Sequence, residues 1–141
     1  MTREEVVKLF NRRCDAFARL DAEALAADHA EGSVYESPAA GGTVTGRKAI
    51  AKIHRGFFTG FPDVTMDWTD LVIDGDRVVQ MATVSGTDTG GFMGLPPTGK
   101  RFGLPVVFMF TLKDGLIAHQ RSVYDFTGML VQIGVLKTKP V

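Results

Sequence analysis

The chain has little cysteine, no excess of charge and no long hydrophobic run. Each of these absences argues against one class of protein. Cys14 is the only cysteine, so no disulfide can form within the chain. The 16 basic and 16 acidic residues balance, which disfavours nucleic acid as a partner because phosphates need a basic surface. No segment approaches the roughly 20 apolar residues of a membrane span. With no signal-like start, we expect a reduced, cytoplasmic protein without a membrane partner.

Motifs for metal, nucleotide and serine chemistry are also missing. The three histidines, His29, His54 and His119, are too far apart to show a metal-ligand spacing. There is no G-x-S-x-G, no Walker loop and no G-x-G-x-x-G turn. The sequence therefore predicts neither a metal site nor a cofactor.

What is present fits one domain over residues 1–141 with its own core, since 45% of the residues are hydrophobic. Thr2 and Glu5 match a capping box at the start of a helix. The spacing of the next apolar residues predicts one buried stripe, with arginines on the solvent-facing sides. The stripe comprises Val6, Phe10, Cys14 and Phe17, and the arginines are Arg12, Arg13 and Arg19.

Turn residues and hydrophobic periodicity divide the remainder into helices followed by strands. Asp21 is expected to cap a second helix, and Gly134 to end the last one. Helices are predicted at 22–29, 47–59 and 126–133, and strands at 33–37, 64–73, 77–88, 102–112 and 116–124. This order is typical of the α+β class.

Two segments of the strand region stand out. Val106 to Phe110 is continuously apolar, so both faces of that strand should be covered, one by a pocket and one by a second subunit of a homodimer. Pro105 predicts a bulge or a strand start beside it. The glycine-rich and proline-rich loop 89–100 carries Phe92, Met93 and Leu95, which either shield a sheet edge or a neighbouring subunit, or form a lid over a pocket.

Residues 61–102 and 112–136 resemble the SnoaL-like polyketide cyclase family, within the nuclear transport factor 2-like superfamily. The resemblance rests on short motifs spread along both stretches. It implies an α+β fold in which a cone-shaped, curved antiparallel sheet packs against N-terminal helices around a central apolar pocket. It also implies dimeric or higher assembly and cofactor-free chemistry on a bulky apolar substrate. Among the motifs are Phe61-Pro62-Asp63, Gly86-Thr87, Pro96-Pro97-Thr98-Gly99 and Gln132-Ile133-Gly134.

The same resemblance implies that Asp125, just before the last helix, is the catalytic acid/base. Strand alternation places His119 and Arg121 on its side if no bulge intervenes, so either could donate a hydrogen bond to a developing enolate. Asp is also a preferred helix N-cap, which is the structural alternative for Asp125. The sequence departs from many relatives at Asp88 and Arg121, where those proteins carry histidine and tryptophan.

Further candidates for substrate contact have ordinary structural alternatives as turn, surface or core residues. They are Asp88, Phe92, Met93, Trp68, Glu36 and His54. We therefore expect a cofactor-independent cyclase or isomerase that acts by acid–base chemistry on a small hydrophobic, oxygenated, polyketide-like ligand. The alternatives are an epoxide hydrolase-like enzyme, with Asp125, Arg121 and Asp88 supplying the acid and base, or a binding domain without turnover.

Overall fold

The computed structural model describes residues 1–137, which form helices packed against one face of a curved, open sheet. This confirms the α+β class. The helices are α1 (Arg3–Ala18), α2 (Ala22–Ala27), α3 (Arg47–Gly60) and α4 (Phe126–Gln132), with a short 3-10 turn at Pro38–Ala40. The strands are β1 (His29–Ser37), β2 (Gly42–Thr45), β3 (Thr65–Asp74), β4 (Arg77–Thr87), β5 (Arg101–Lys113) and β6 (Leu116–Tyr124).

Side-chain caps fix the starts of three helices. Thr2 accepts from the Glu5 amide while the Glu5 carboxylate accepts from the Thr2 amide, so the predicted capping box is confirmed. Asp21 caps α2 as predicted, although α2 ends before residue 29 because the chain turns into β1. Asp125 caps α4 through the Gly128 amide.

The solvent-facing position predicted for Arg13 is wrong. Its side chain is buried, where it donates to the Leu25 carbonyl at 2.9 Å and pairs with Asp28 at 3.3 Å. The guanidinium also lies 5.6 Å from the centre of the Phe110 ring. Burial is tolerated because the charge has an ionic partner and hydrogen bonds, a condition that helical spacing alone does not reveal.

The strand order is β2-β1-β6-β5-β4-β3. All neighbouring strands are antiparallel except β1 and β6, which run parallel. The expectation of a fully antiparallel sheet is therefore wrong at this one pair. β1 also begins earlier than predicted, and the short edge strand β2 had no signal in the sequence beyond its flanking glycines.

The prediction for Pro105 is also wrong. Pro105 lies inside β5 and pairs in register with Thr83 of β4. Pairing of β5 with β6 begins one residue later, at Val106. The missing amide hydrogen of Pro105 therefore removes no hydrogen bond between β5 and β6. The irregularity lies in β6 instead, where Thr111 pairs with His119 and Leu112 with Ile117, leaving Ala118 as the extra residue.

The main core lies between the helices and the concave face of the sheet. Alternation along β5 turns Phe102, Val106 and Phe110 into this core, and leaves Val107 and Met109 half-buried on the convex face. Within residues 1–137 no helix combines the length and apolarity needed to cross a bilayer. The same residues contain no group of three or more metal-ligating side chains.

Candidate functional site

A cavity of about 50 Å³ lies between α3 and the concave face of the sheet, and we call it the main chamber. Much of its lining is aromatic, with Phe17 from α1, Phe57 from α3, and Phe102 and Phe108 from β5. Met66, Val84 and Met129 add further apolar surface. These side chains suit a flat, apolar ligand, because aromatic rings provide large contact surfaces for other rings.

Hydroxyl groups from two adjacent strands also line the main chamber, and we call them the polar wall. Tyr35 and Ser37 of β1 and Ser122 and Tyr124 of β6 all line the main chamber. Their common side follows from the parallel register, in which Tyr35 pairs with Gln120, so alternate residues of both strands point to the concave face. The Oγ atom of Ser122 is buried beside the Tyr35 hydroxyl.

Burial moves the pKa of both phenols on this wall further above neutral pH. It raises the pKa of Tyr35, and it raises the pKa of Tyr124 to about 12. Both phenols therefore remain protonated at neutral pH and can donate hydrogen bonds. Such donors are suited to an oxygen on which negative charge develops during a reaction.

His54 projects from α3 into the same cavity. It packs between Phe58, Tyr35 and Phe17, and its Nε2 atom has no hydrogen-bond partner in the described part of the chain. Burial, reinforced by the positive charge of Arg13, lowers the pKa of His54 to about 3. The imidazole is thus neutral at pH 7 and acts there as a hydrogen-bonding group and not as a strong base.

A second, smaller space of about 20 Å³, the inner chamber, adjoins the main chamber. The two share Phe17, His54 and Phe108 as wall residues. Trp68 and the side-chain amides of Gln80 and Gln120 line the inner chamber only, together with Arg13, Leu25 and Phe110. Neither chamber is lined by a carboxylate from residues 1–137.

The predicted hydrogen-bond donors His119 and Arg121 lie elsewhere. His119 and Arg121 point to the convex face, where both contact Glu36: His119 Nε2 lies 2.5 Å from Glu36 Oε2, and Arg121 Nε lies 3.3 Å from the same oxygen. Arg121 and then His119 hold the pKa of Glu36 below its usual range through these hydrogen bonds. Glu36, His119 and Arg121 therefore form an ion-pair cluster outside the cavity.

Asp125 lies at the edge of the cavity without lining it. Its carboxylate is exposed and accepts from the Gly128 amide at 2.8 Å. A Cβ on Gly128 would lie 2.2 Å from an Asp125 oxygen, so a larger residue there would displace the capping carboxylate. Two nearby wall residues, Tyr124 and Met129, flank it in the chain. The N-cap interpretation is confirmed, and the catalytic role stays a prediction.

Asp88 and the loop 89–100 are held together and away from the cavity. The buried Asp88 carboxylate accepts from the amides of Gly91 and Thr98 and from the Thr98 hydroxyl, each at 3.1 Å. Phe92 is buried against Phe57 and Phe61, whereas Met93 is exposed. None of Asp88, Phe92 and Met93 lines either chamber.

Of the nine side chains singled out in the sequence, the structure brings His54 and Trp68 to the cavity. The polar wall was not predicted, because the prediction placed the charged residues His119 and Arg121 of β6 towards the cavity. The signal was present in the sequence: where charged and uncharged polar residues alternate along a strand, the charged set belongs to solvent. Applied to β6, this rule assigns Gln120, Ser122 and Tyr124 to the interior.

Comparison with known proteins supports the sequence resemblance. The model of the SnoaL-like polyketide cyclase family matches residues 8–133. AclR from Streptomyces galilaeus, a proposed hydroxylase, is 26% identical with a TM-score of 0.82, covering 99% of this chain and 87% of that chain. IdmH from Streptomyces antibioticus, a proposed polyketide cyclase, is 28% identical with a TM-score of 0.73, covering 91% of this chain and 97% of that chain.

One more distant structure bears on the fold alone. A protein from Catenulispora acidiphila with a ketosteroid isomerase-like fold, in complex with trimethylamine, is 22% identical with a TM-score of 0.75 and covers 95% of each chain. No curated protein matches the sequence. The expected fold family is confirmed.

Proposed function

Because the chain belongs to the SnoaL-like polyketide cyclase family, we propose that it is a cofactor-independent cyclase or isomerase for a small hydrophobic, oxygenated, polyketide-like substrate. The observation that carries this proposal is the main chamber, which brings aromatic rings together with hydroxyl groups and a neutral imidazole. Apolar pockets with a few converging polar groups are typical of small-molecule sites.

The polar wall fits the stabilisation of an enolate. Removal of a proton next to a carbonyl moves negative charge onto the carbonyl oxygen, and neutral donors fixed around that oxygen lower the barrier. Tyr35 and His54 supply such donors in a buried setting. With a pKa of about 3, His54 does not take up the proton.

We assign the proton transfer to Asp125. Its carboxylate would accept the proton from carbon and return it to carbon or to the new hydroxyl of the product. The proposal is supported by its place in the chain, one residue after Tyr124 and four residues before Met129, which both line the cavity. The hydrogen bond from Gly128 leaves the second carboxylate oxygen for the substrate.

Substrate entry requires the cavity to widen. Ligand pockets for drug-sized molecules are roughly 300–1,000 Å³, whereas the main chamber holds about 50 Å³. Ala39 in the 3-10 turn and Met129 in α4 are the lining residues outside the sheet, α1 and α3. Movement of these two short elements would enlarge the cavity without breaking the sheet.

The test is proton exchange on a small cyclic ketone, 2-tetralone, in deuterated buffer followed by NMR. The parent protein should accelerate exchange at the carbon next to the carbonyl. Tyr35→Phe should reduce the rate by about a hundredfold, as loss of one oxyanion donor typically does. Thr83→Ala, on the convex face, is the control and should behave like the parent.

A binding domain without turnover is the second candidate, because no carboxylate lines either chamber within residues 1–137. Tight binding of 2-tetralone without accelerated exchange would favour it over the enzyme. The same observation counts equally against the epoxide hydrolase alternative and against the assignment of Asp125, because each needs a carboxylate that reaches the bound substrate.

We also propose that the chain forms a homodimer through the convex face of the sheet. The register places Val79 beside Met109, and Met81 beside Val107, on this face. Val72 and Val123 extend the row and are 54% and 49% exposed. A contiguous apolar patch of this kind is typical of a subunit interface.

A further inference from the structure

The pairing of β1 with β6 stops before either strand ends. Glu36 and Arg121 are the last paired residues, yet β1 continues to Ser37 and β6 to Tyr124. After Ser37 the chain turns into the 3-10 turn at Pro38–Ala40, whereas β6 stays paired with β5 as far as Tyr124. The ends of β1 and β6 are therefore neighbours in the sheet without being hydrogen-bonded as strands.

A cavity of about 330 Å³, which we call the outer groove, lies at these unpaired strand ends. On one face of a paired sheet, only alternate residues of a strand line a space. The outer groove is lined instead by consecutive residues of both strands, which indicates that it passes around the end of the pairing. The lining residues are Glu36, Ser37, Pro38, Gly42, Thr43, Arg121, Ser122, Val123 and Tyr124.

Only a thin partition separates the outer groove from the main chamber. Ser37, Ser122 and Tyr124 line both spaces, and the Tyr124 hydroxyl lies beside the Ser37 side chain and the backbone of Ala39. No pairing of β1 with β6 crosses this partition within residues 1–137. Rotation of a side chain can therefore open it without breaking the sheet.

The 3-10 turn borders the same partition and is followed by two glycines. Pro38 lines the outer groove and Ala39 lines the main chamber, so successive residues of the turn face the two spaces. Gly41 and Gly42 have φ angles of 69° and 125°, which glycine adopts without strain. A Cβ at either glycine would meet no atom within 4 Å. The backbone after the turn therefore has room to move.

We propose that the outer groove is the entrance of the ligand site and that the Tyr124 side chain is the gate between this groove and the main chamber. The ligand passes between Ser37 and Ser122 when Tyr124 and the 3-10 turn move outward. This inference rests on the proposed function, because it takes the main chamber to be the ligand site. Val123 alone belongs both to the outer groove and to the proposed dimer surface, so a partner subunit would border the entrance.

The entrance favours an uncharged ligand. Glu36 and Arg121 at its rim pair with each other, with Arg121 Nε and Nη2 each 3.3 Å from a Glu36 oxygen. Neither sign of charge is therefore attracted strongly at the rim. The partition beyond consists of hydroxyl groups and an aromatic ring, where an ionised group would lose its water without gaining an ionic partner. An aromatic ketone is the class of molecule that this route suits.

The test is the kinetics of binding of prodan, an uncharged naphthyl ketone dye, followed by its fluorescence after rapid mixing. Thr43→Trp places a large side chain in the outer groove, because Thr43 is exposed and lines that groove but not the main chamber. We expect association and dissociation both to slow about tenfold while Kd stays unchanged, since a blocked entrance hinders both directions equally. Thr45→Trp is the matched control: Thr45 is exposed two residues along β2 and lines neither space.

A second variant tests the gate itself. Tyr124→Phe keeps the ring but removes the hydroxyl that lies beside Ser37. Loss of one hydrogen bond from the closed state should speed association and dissociation about fivefold each. A variant with the parent's rates would show that the Tyr124 hydroxyl does not hold the partition closed, and would overturn its role as the gate.

The outcomes separate the entrance from the proposed function. Equal rates in Thr43→Trp and Thr45→Trp, with prodan still bound, would overturn the entrance and leave the main chamber as the ligand site. Weaker binding at an unchanged association rate in Thr43→Trp would also overturn it, since the outer groove would then be part of the binding site. Displacement of prodan by naphthalene-2-sulfonate would contradict the restriction to uncharged ligands. Failure of the parent to bind prodan would count against the entrance and the proposed function together.

Discussion

Replacing His54 with phenylalanine should change how the stability of the protein depends on pH. Burial, followed by the charge of Arg13, lowers the pKa of His54 to about 3 and that of His29 to about 2. The unfolded chain restores both to the ordinary value of 6.5. Below that pH the unfolded state therefore binds more protons than the folded state, and acid favours unfolding.

The sign and size follow from these values. The stabilisation is complete above about pH 6.5 and is lost as the pH falls towards the folded-state pKa. At pH 5 each buried histidine lowers the free energy of unfolding by about 2 kcal/mol relative to pH 8, so the pair lowers it by about 4 kcal/mol. His54→Phe should reduce this difference to about 2 kcal/mol, because one titrating group remains.

The assay is urea unfolding followed by the fluorescence of Trp68 at several pH values between about 5 and 8. Carboxylates do not interfere in this window. The pKa values of Glu5 and Asp63 are lowered by backbone hydrogen bonds, and that of Glu36 by hydrogen bonds from Arg121 and His119. The stability that they contribute is lost only as the pH falls below the ordinary values of 4.5 for Glu and 3.8 for Asp. His119→Gln, on the convex face, is the control. A parent whose stability is flat from pH 8 to 5, or an unchanged slope in His54→Phe, would refute the reasoning.

Three other predictions test separate parts of the molecule. Asp125→Asn should keep the melting temperature but slow proton exchange on 2-tetralone about a hundredfold. Asp125→Ala should in addition lose about 1 kcal/mol of stability, because it removes the helix cap. Full exchange activity in Asp125→Asn would contradict the assigned role. Asp88→Ala should speed amide hydrogen exchange in the loop 89–100, since two loop amides lose their acceptor, and unchanged protection there would show that the carboxylate does not hold the loop. Val107→Arg should convert a dimer of about twice the chain mass into a monomer in light scattering, and a parent that is already monomeric at micromolar concentration would contradict the interface.

Much of the fold could be predicted because its signals are local. The Thr2 capping box and the Asp21 cap involve residues three apart, and their starts were placed correctly. The four long strands were predicted within one residue at every end, since turns such as the one at Gly115 mark them. The burial of Arg13 and the parallel pairing of β1 with β6 were not predicted. Both depend on partners that are distant in the sequence, and hydrophobic periodicity carries no information about them.

The site was harder to predict because it depends on which face of a strand points inward. Strict alternation along β6 predicts that Ile117 and His119 point to the same face of the sheet. The extra residue Ala118 breaks the alternation, so Ile117 and Gln120 are the two that are buried. One such bulge moves every later side chain to the other side. Gln120 and Ser122 thus line the cavity, whereas His119 contacts Glu36, which lies 83 positions earlier in the sequence.

The parallel pair of β1 and β6 also has a consequence for how the chain folds. In the sheet, β6 lies between the hairpin of β1 and β2 and the three strands β3, β4 and β5. Its contacts with β1 include residues that are 85 positions apart in the sequence. Until β6 is synthesised, β1 with β2 and β3 with β4 and β5 are two separate sheets, each with an unpaired edge. Contacts between residues so distant in sequence slow folding. A chain emerging from the ribosome would therefore hold two incomplete half-sheets and complete its cavity only after its last strand is made.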